Sequence, residues 1–343
     1  MLNNFVLFFI KIKSIPLCII IALSSMVACY PMKCTDKCYV EELTTTDKQN
    51  NNEKKNDKTV WHRMRQNFRI QKTPEENHPQ VTKLAHSYSR PNKNLRKLTA
   101  QTKPFIYYVL EEVEKNNLPS ELALIPIVES GFYPQAVSNK GAVGIWQMLA
   151  GTGKRFGIHY DDNYDGRRDV IASTKAALQY LSFLHEEFNQ DWMLAIAAYN
   201  AGEGTVQRAI KNNIKAGCSI DLWSLKLPKQ THDFVGKVLA LAAVVAHPDV
   251  YQADLSPIEN KPLVKKVAVK PNSPLQQIAL LSGVTLQEFK FLNPGFHHLA
   301  LVPKVIKEIL LPWDKASQLE IQIAQLKVKP YSKTIKSKNR LKA

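Results

Sequence analysis

Cysteine, acidic charge and long apolar runs are all scarce in this chain, and each shortage excludes something. Five cysteines are spread over 343 residues, and nine histidines are scattered among them. No cysteine–histidine spacing suggests zinc, so neither a metal nor a cofactor is expected. Acidic residues number 30 against 46 lysines and arginines, giving a net charge of +16. Such a balance favours anionic partners. The most apolar run lies near the N-terminus and is too short to span a bilayer comfortably.

That N-terminal run has the form of an export signal. Lys11 and Lys13 precede Leu17-Cys18-Ile19-Ile20-Ile21-Ala22-Leu23, and small residues lead into Ala28-Cys29. Residues 1–28 are therefore expected to be a signal peptide; an uncleaved anchor is the alternative, because Phe5 to Ile10 is apolar as well. Met26-Val27-Ala28-Cys29 resembles a bacterial lipoprotein box, with Met where Leu is usual. The resemblance implies lipid on Cys29 and attachment to a membrane, as an outer-membrane lipoprotein facing the periplasm. Cys34 and Cys38 can pair in an oxidising envelope, and Cys218 is left alone. An exported chain rarely meets nucleic acid, so an anionic cell-wall polymer is the expected partner. A solvated surface plus the basic tail of Lys333, Lys336, Lys338, Arg340 and Lys342 explains the same charge.

Residues 29–60 are polar and rich in Asn and Lys, and read as a flexible linker. Helical periodicity then dominates to residue 256. Phe105, Tyr108, Val109 and Val113 share a face; Pro119 opens a helix that Gly131 stops; Asp169 and Asp191 are N-caps; Phe234, Val238, Leu241 and Val245 form another stripe. Residues 263–316 read as strand, helix, helix, strand, with Thr285-Leu286-Gln287-Glu288 as a capping box. Residues 317–343 are expected to be a loose basic tail. The fold class is mainly α, with a small βααβ module.

The chemistry concentrates at Glu129. It ends the apolar stretch Leu122-Ala123-Leu124-Ile125-Pro126-Ile127-Val128, on the face of Leu122 and Ile125. Burial and a helix C-terminus both disfavour its anion, which keeps a proton available for general acid catalysis. A structural glutamate would satisfy position alone equally well.

Three ordered motifs shift that balance. Glu129-Ser130, Gly144-Ile145-Trp146-Gln147-Met148 and Ala198-Tyr199-Asn200 resemble the signature of the lytic transglycosylase (SLT domain) family, of the membrane-bound murein transglycosylase D type. The flanks Leu118-Pro119, Gly151-Thr152-Gly153, Asp165-Gly166-Arg167-Arg168-Asp169 and Leu227-Pro228 extend the likeness. The resemblance implies a lysozyme-like catalytic domain over 61–256. It also implies cleavage of the β-1,4 bond between N-acetylmuramic acid and N-acetylglucosamine in peptidoglycan, without water, leaving 1,6-anhydromuramic ends. Glu129 would act first as acid and then as base. Ser130, Gln147, Met148, Tyr199 and Asn200 would bind substrate or fix its surroundings, with the Tyr199 hydroxyl near the carboxylate. Leu292-Asn293-Pro294-Gly295-Phe296 gives residues 263–316 a likeness to LysM-type carbohydrate-binding modules.

Two departures stand out. Gln230 replaces a glutamate that the family usually places after leucine–proline, and Phe234 replaces a tyrosine. They motivate one rival reading, an inactive peptidoglycan-binding scaffold; a muramidase that admits water to the same site is another. Oligomeric state is not readable. Hydrolases commonly use two carboxylates roughly 5 to 10 Å apart. Asp161, Asp162, Asp165 and Glu203 lie within the same domain, although Asp165 and Asp169 flank two arginines as if in ion pairs.

Overall fold

The computed structural model describes residues 58–70, 77–88, 93–299, 302, 306 and 308–328. The expected signal, Cys29, Cys34, Cys38, nearly all of the 29–60 linker and residues 329–343 lie outside them.

Among the described residues ten α-helices precede the strands. They are α1 (Val60–Arg65), α2 (Pro79–Ser87), α3 (Lys93–Gln101), α4 (Ile106–Lys115), α5 (Ile125–Ser130), α6 (Ala150–Arg155), α7 (Val170–Glu187), α8 (Trp192–Ala201), α9 (Glu203–Lys215) and α10 (Lys229–Ala246). The long helices begin where the side chains supply caps. Asp169 accepts from the Ala172 amide at the start of α7, and Asp191 accepts from Met193 and Leu194 at the start of α8. Each satisfies donors that the first helical turn leaves open.

Apolar residues crowd onto α8 and α10, which lie at the centre. Leu194 to Ala198 are buried on α8, as are Val235 and Val238 to Val245 on α10. α10 packs against α2 and α8, and α8 against α7 and α9. The helix expected after Pro119 is split. Ser120–Leu124 is a 3₁₀ turn, and α5 then carries the chain to Gly131, whose φ of 62° closes it in the left-handed conformation.

The C-terminal part has the expected βααβ order. β1 (Val264–Ala268) pairs antiparallel with β2 (Glu308–Pro312), Val264 opposite Pro312 and Ala268 opposite Glu308. Between them lie α11 (Leu275–Ser282) and α12 (Leu286–Leu292), the second capped by Thr285, which accepts from the Glu288 amide.

Two expectations are revised here. The chain past Ser317 is not loose at first: α13 (Trp313–Val328) runs through it, with Ala316 and Leu319 buried in the module's core. Nor is the module separate. Tyr164 of the helical domain is one of its core residues, and Leu292 and Leu310 join the larger core. The stretch that joins the two parts is fastened as well. The Val60 amide donates to the Ile258 carbonyl at 2.9 Å, and the Trp61 indole to the Ser256 carbonyl at 2.6 Å.

Candidate active site

Glu129 sits in the last turn of α5, half-buried. Burial around its carboxyl group raises the pKa from 4.5 to about 8. Desolvation is the cause, as the apolar sequence before it leads one to expect.

The two other motifs are tied to this helix through neighbouring backbone carbonyls. The Ser130 hydroxyl donates to the Ile145 carbonyl at 2.9 Å and to the Pro126 carbonyl at 3.3 Å. The Tyr199 hydroxyl donates to the next carbonyl along, that of Trp146, at 2.7 Å. The hydroxyl expected near the carboxylate thus gives its proton to the backbone. Burial, and then the Glu129 charge and Tyr180, still lift its pKa well above 10.

The segment between these anchors is a tight turn. Val143 and Met148 exchange backbone hydrogen bonds at 3.0 and 3.1 Å, with Gly144 at φ 83° and Gln147 at φ 48°. A left-handed conformation at a non-glycine residue is uncommon and points to a constraint imposed from outside. The Gln147 amide nitrogen donates to the Gly144 carbonyl at 2.8 Å and to the Ala136 carbonyl at 3.3 Å, which fixes the side chain. At Gly144 a Cβ would stand 1.9 Å from the Arg167 carbonyl oxygen, so no other residue fits.

The remaining candidates divide clearly. Asn200 is half-buried and its Oδ1 accepts from Thr231 at 3.1 Å, joining α8 to α10. Met148, expected in the groove, is 2 % exposed and belongs to the core. Trp146 is fully buried and donates to Thr174 at 2.9 Å. Trp192 stacks on His185, with ring centres 3.8 Å apart. Gln230 is exposed, and Phe234 is 7 % exposed within the core.

Among the described residues the other buried acids of this domain, and Glu203, are each held by a donor or a cation. Asp165 pairs with Arg167, Nη2 to Oδ2, at 2.8 Å. Asp169 makes no ion pair among the described residues; it is buried as the α7 cap and accepts from the Tyr164 hydroxyl at 2.9 Å. Its pKa is raised by burial, against the pull of those hydrogen bonds. Glu203 is also partly desolvated, but hydrogen bonds from Arg155 and Tyr180 and the Arg155 charge outweigh that, and its pKa is lowered. One structural acid escaped sequence reasoning. Glu121 is 1 % exposed and accepts from the Arg69 and Ile70 amides at 2.8 and 2.6 Å. Among the described residues no group of three or more His, Cys, Asp or Glu is placed to hold a metal ion.

Glu129 is thus a desolvated acid in a helix's last turn, beside a glycine turn that the Ser130 and Tyr199 hydroxyls brace. Residues 108–220 match the transglycosylase SLT domain, and residues 264–328 match the LysM-like domain of lytic transglycosylase MltD. The chain belongs to the lytic transglycosylase family. It is 35% identical over 259 residues to membrane-bound lytic murein transglycosylase D of Escherichia coli (strain K12), covering 76% of this chain and 57% of that protein. This chain thus spans little more than half of that relative's length. It is also 43% identical over 150 residues to a putative tributyltin chloride resistance protein of Alteromonas sp. (strain M-1), covering 44% of this chain and 72% of that one.

Proposed function

We propose that this chain cleaves peptidoglycan glycan strands as a lytic transglycosylase, with Glu129 making both proton transfers. The observation that carries the reading is the half-buried Glu129 carboxyl with its pKa raised to about 8. Near neutral pH such a group is mostly protonated, as an acid catalyst must be.

Glu129 donates its proton to the glycosidic oxygen as the bond from muramic acid C1 breaks and positive charge develops at C1. N-acetylglucosamine departs as the alcohol. The muramic acid C6 hydroxyl then attacks C1, and the Glu129 carboxylate takes the hydroxyl proton, closing the 1,6-anhydro ring. The acid is restored and no water is consumed. Of the other buried acids among the described residues, Glu121 and Asp169 are taken up by backbone amides and, for Asp169, a phenol, and Asp165 by Arg167, which favours this route over hydrolysis.

Gln147 is the group best suited to orient a sugar hydroxyl or acetamido group, because its amide nitrogen is already fixed and its carbonyl oxygen is an acceptor. Ser130, Tyr199 and Asn200 act by holding the three segments together. Met148 supports the turn from the core.

Attachment to the envelope is proposed to come from lipid on Cys29. Among the described residues no helix is long and apolar enough to cross a membrane. With Cys29→Ala, the protein is expected to leave the membrane fraction; retention there would rule the lipid out. The activity is tested by mass spectrometry of digested sacculi. Anhydromuramic ends from the wild type, and none from Glu129→Gln, support it. Reducing muramic ends would make the enzyme a muramidase, and no release at all would make it a scaffold.

A further inference from the structure

The residues that give the C-terminal module its likeness to a glycan binder are turned toward the catalytic domain. Asn293 fastens their loop to β2, donating to the Leu310 carbonyl and accepting from the Leu310 amide, each at 2.8 Å. The Gly295 carbonyl then accepts from the Asp165 amide at 2.8 Å, and Phe296 lies against Tyr164 with ring centres 5.3 Å apart. The His297 amide donates to the Asn163 carbonyl at 2.8 Å, and its ring Nδ1 lies 2.9 Å from the Asp162 carbonyl oxygen. A Cβ at Gly295 would stand 2.8 Å from the Tyr164 ring, 3.0 Å from Asp169 Cβ and 3.1 Å from the Asp165 carbonyl oxygen. The contact leaves no slack.

The opposite side of the same loop presses on the cleft. Arg167 forks onto Asp165, at 3.0 Å through Nε and 2.8 Å through Nη2, and reaches the Gly141 carbonyl at 3.2 Å. Arg168 donates to the Gln135 side chain at 2.7 Å and to its carbonyl at 3.1 Å. The Arg167 carbonyl fills the space beside Gly144. Gly144 opens the turn that presents Gln147 and offers the Trp146 carbonyl to Tyr199.

From this continuous set of contacts we propose that the C-terminal module is a positioning element of the cleft. Gly295 and Phe296 clamp residues 161–169, and Arg167, a positioning residue, passes that constraint to the turn at residues 143–148. The effect on catalysis rests on the transglycosylase reading; the mechanical link does not. A misplacement of the order of 1 Å at a reacting site is enough to cost up to about a hundredfold in rate.

The test uses the full chain with Gly295→Ala and Arg167→Ala, and His297→Ala as a mild third variant in case the first folds poorly. Hydrogen exchange at the Val143 and Met148 amides is measured beside steady-state kinetics on short, stem-free glycans and sacculus binding in a Glu129→Gln background. Exchange at both amides is expected to accelerate, and kcat to fall about tenfold with KM and sacculus binding within about twofold of wild type. Arg167→Lys, which keeps the charge but not the fork, should recover part of the loss. Unchanged exchange at Val143 and Met148 overturns the proposal, whether or not the chain turns over glycan. A loss confined to sacculus binding overturns it as well and makes the module a glycan binder. If the wild type releases no anhydromuramic ends, it is the activity that fails, and the exchange data still decide the link.

Discussion

Glu129 and Glu203 lie at two ends of helices in one domain, and the protein treats them in opposite ways. Glu129 ends α5 among apolar residues, and desolvation moves its pKa up to about 8. Glu203 begins α9, where Arg155 at 2.6 Å and the Tyr180 hydroxyl at 3.1 Å hold the carboxylate ionised. The Tyr180 ring lies 5.5 Å from that of Tyr199, so the two environments meet through aromatic side chains. Which way each pKa moves is decided by whether a cation and donors outweigh the cost of leaving water.

The comparison breaks most sharply on removal of each carboxylate. Glu129→Gln is expected to lower turnover by about 10³-fold or more, with an unchanged circular dichroism spectrum. Glu203→Gln should cost only a few-fold, roughly 1 kcal/mol or less in stability, because the Arg155 pair is partly exposed. Equal losses from the two would erase the distinction.

A pH series sharpens it. Activity that needs protonated Glu129 should decline as pH rises through about 8. Stability follows the same group. Its pKa in the folded state lies above the unfolded value, so its favourable contribution is complete below about 4.5 and is lost as pH rises through about 8. Glu129→Gln should therefore raise the melting temperature relative to wild type at pH 9, and the difference should shrink toward zero near pH 4. The sign reverses for Glu203. Its lowered pKa gives stability present above the ordinary carboxylate range and lost as pH falls through the folded value.

A smaller effect tests how the cleft is braced. Tyr199→Phe removes the hydrogen bond to the Trp146 carbonyl and should cost about 1 to 2 kcal/mol in stability, measured by denaturant titration. An unchanged midpoint would show that water replaces the phenol there.

Much of this was legible in the sequence because local rules govern it. Asp169 and Asp191 cap the helices they precede, and Gly131 stops the chain straight after Ser130. The setting of Glu129 follows from the apolar run before it. What could not be read depends on contacts distant along the chain. Nothing in the sequence says that Gly144 is required by the Arg167 carbonyl, or that the Tyr199 phenol is consumed by a backbone oxygen. Met148 reads equally well as groove or core until its pairing with Val143 is seen. The module looked detachable because strand and helix periodicity carries no trace of Tyr164 entering its core.

Ser130 and Tyr199 grip the carbonyls of Ile145 and Trp146, two adjacent residues. The helix bearing the acid and the helix bearing the tyrosine therefore share a single fulcrum, and neither can shift without rotating the same short piece of chain. Any adjustment around Glu129 is then a joint movement of all three segments, and substitutions on either side of that fulcrum should fail to add.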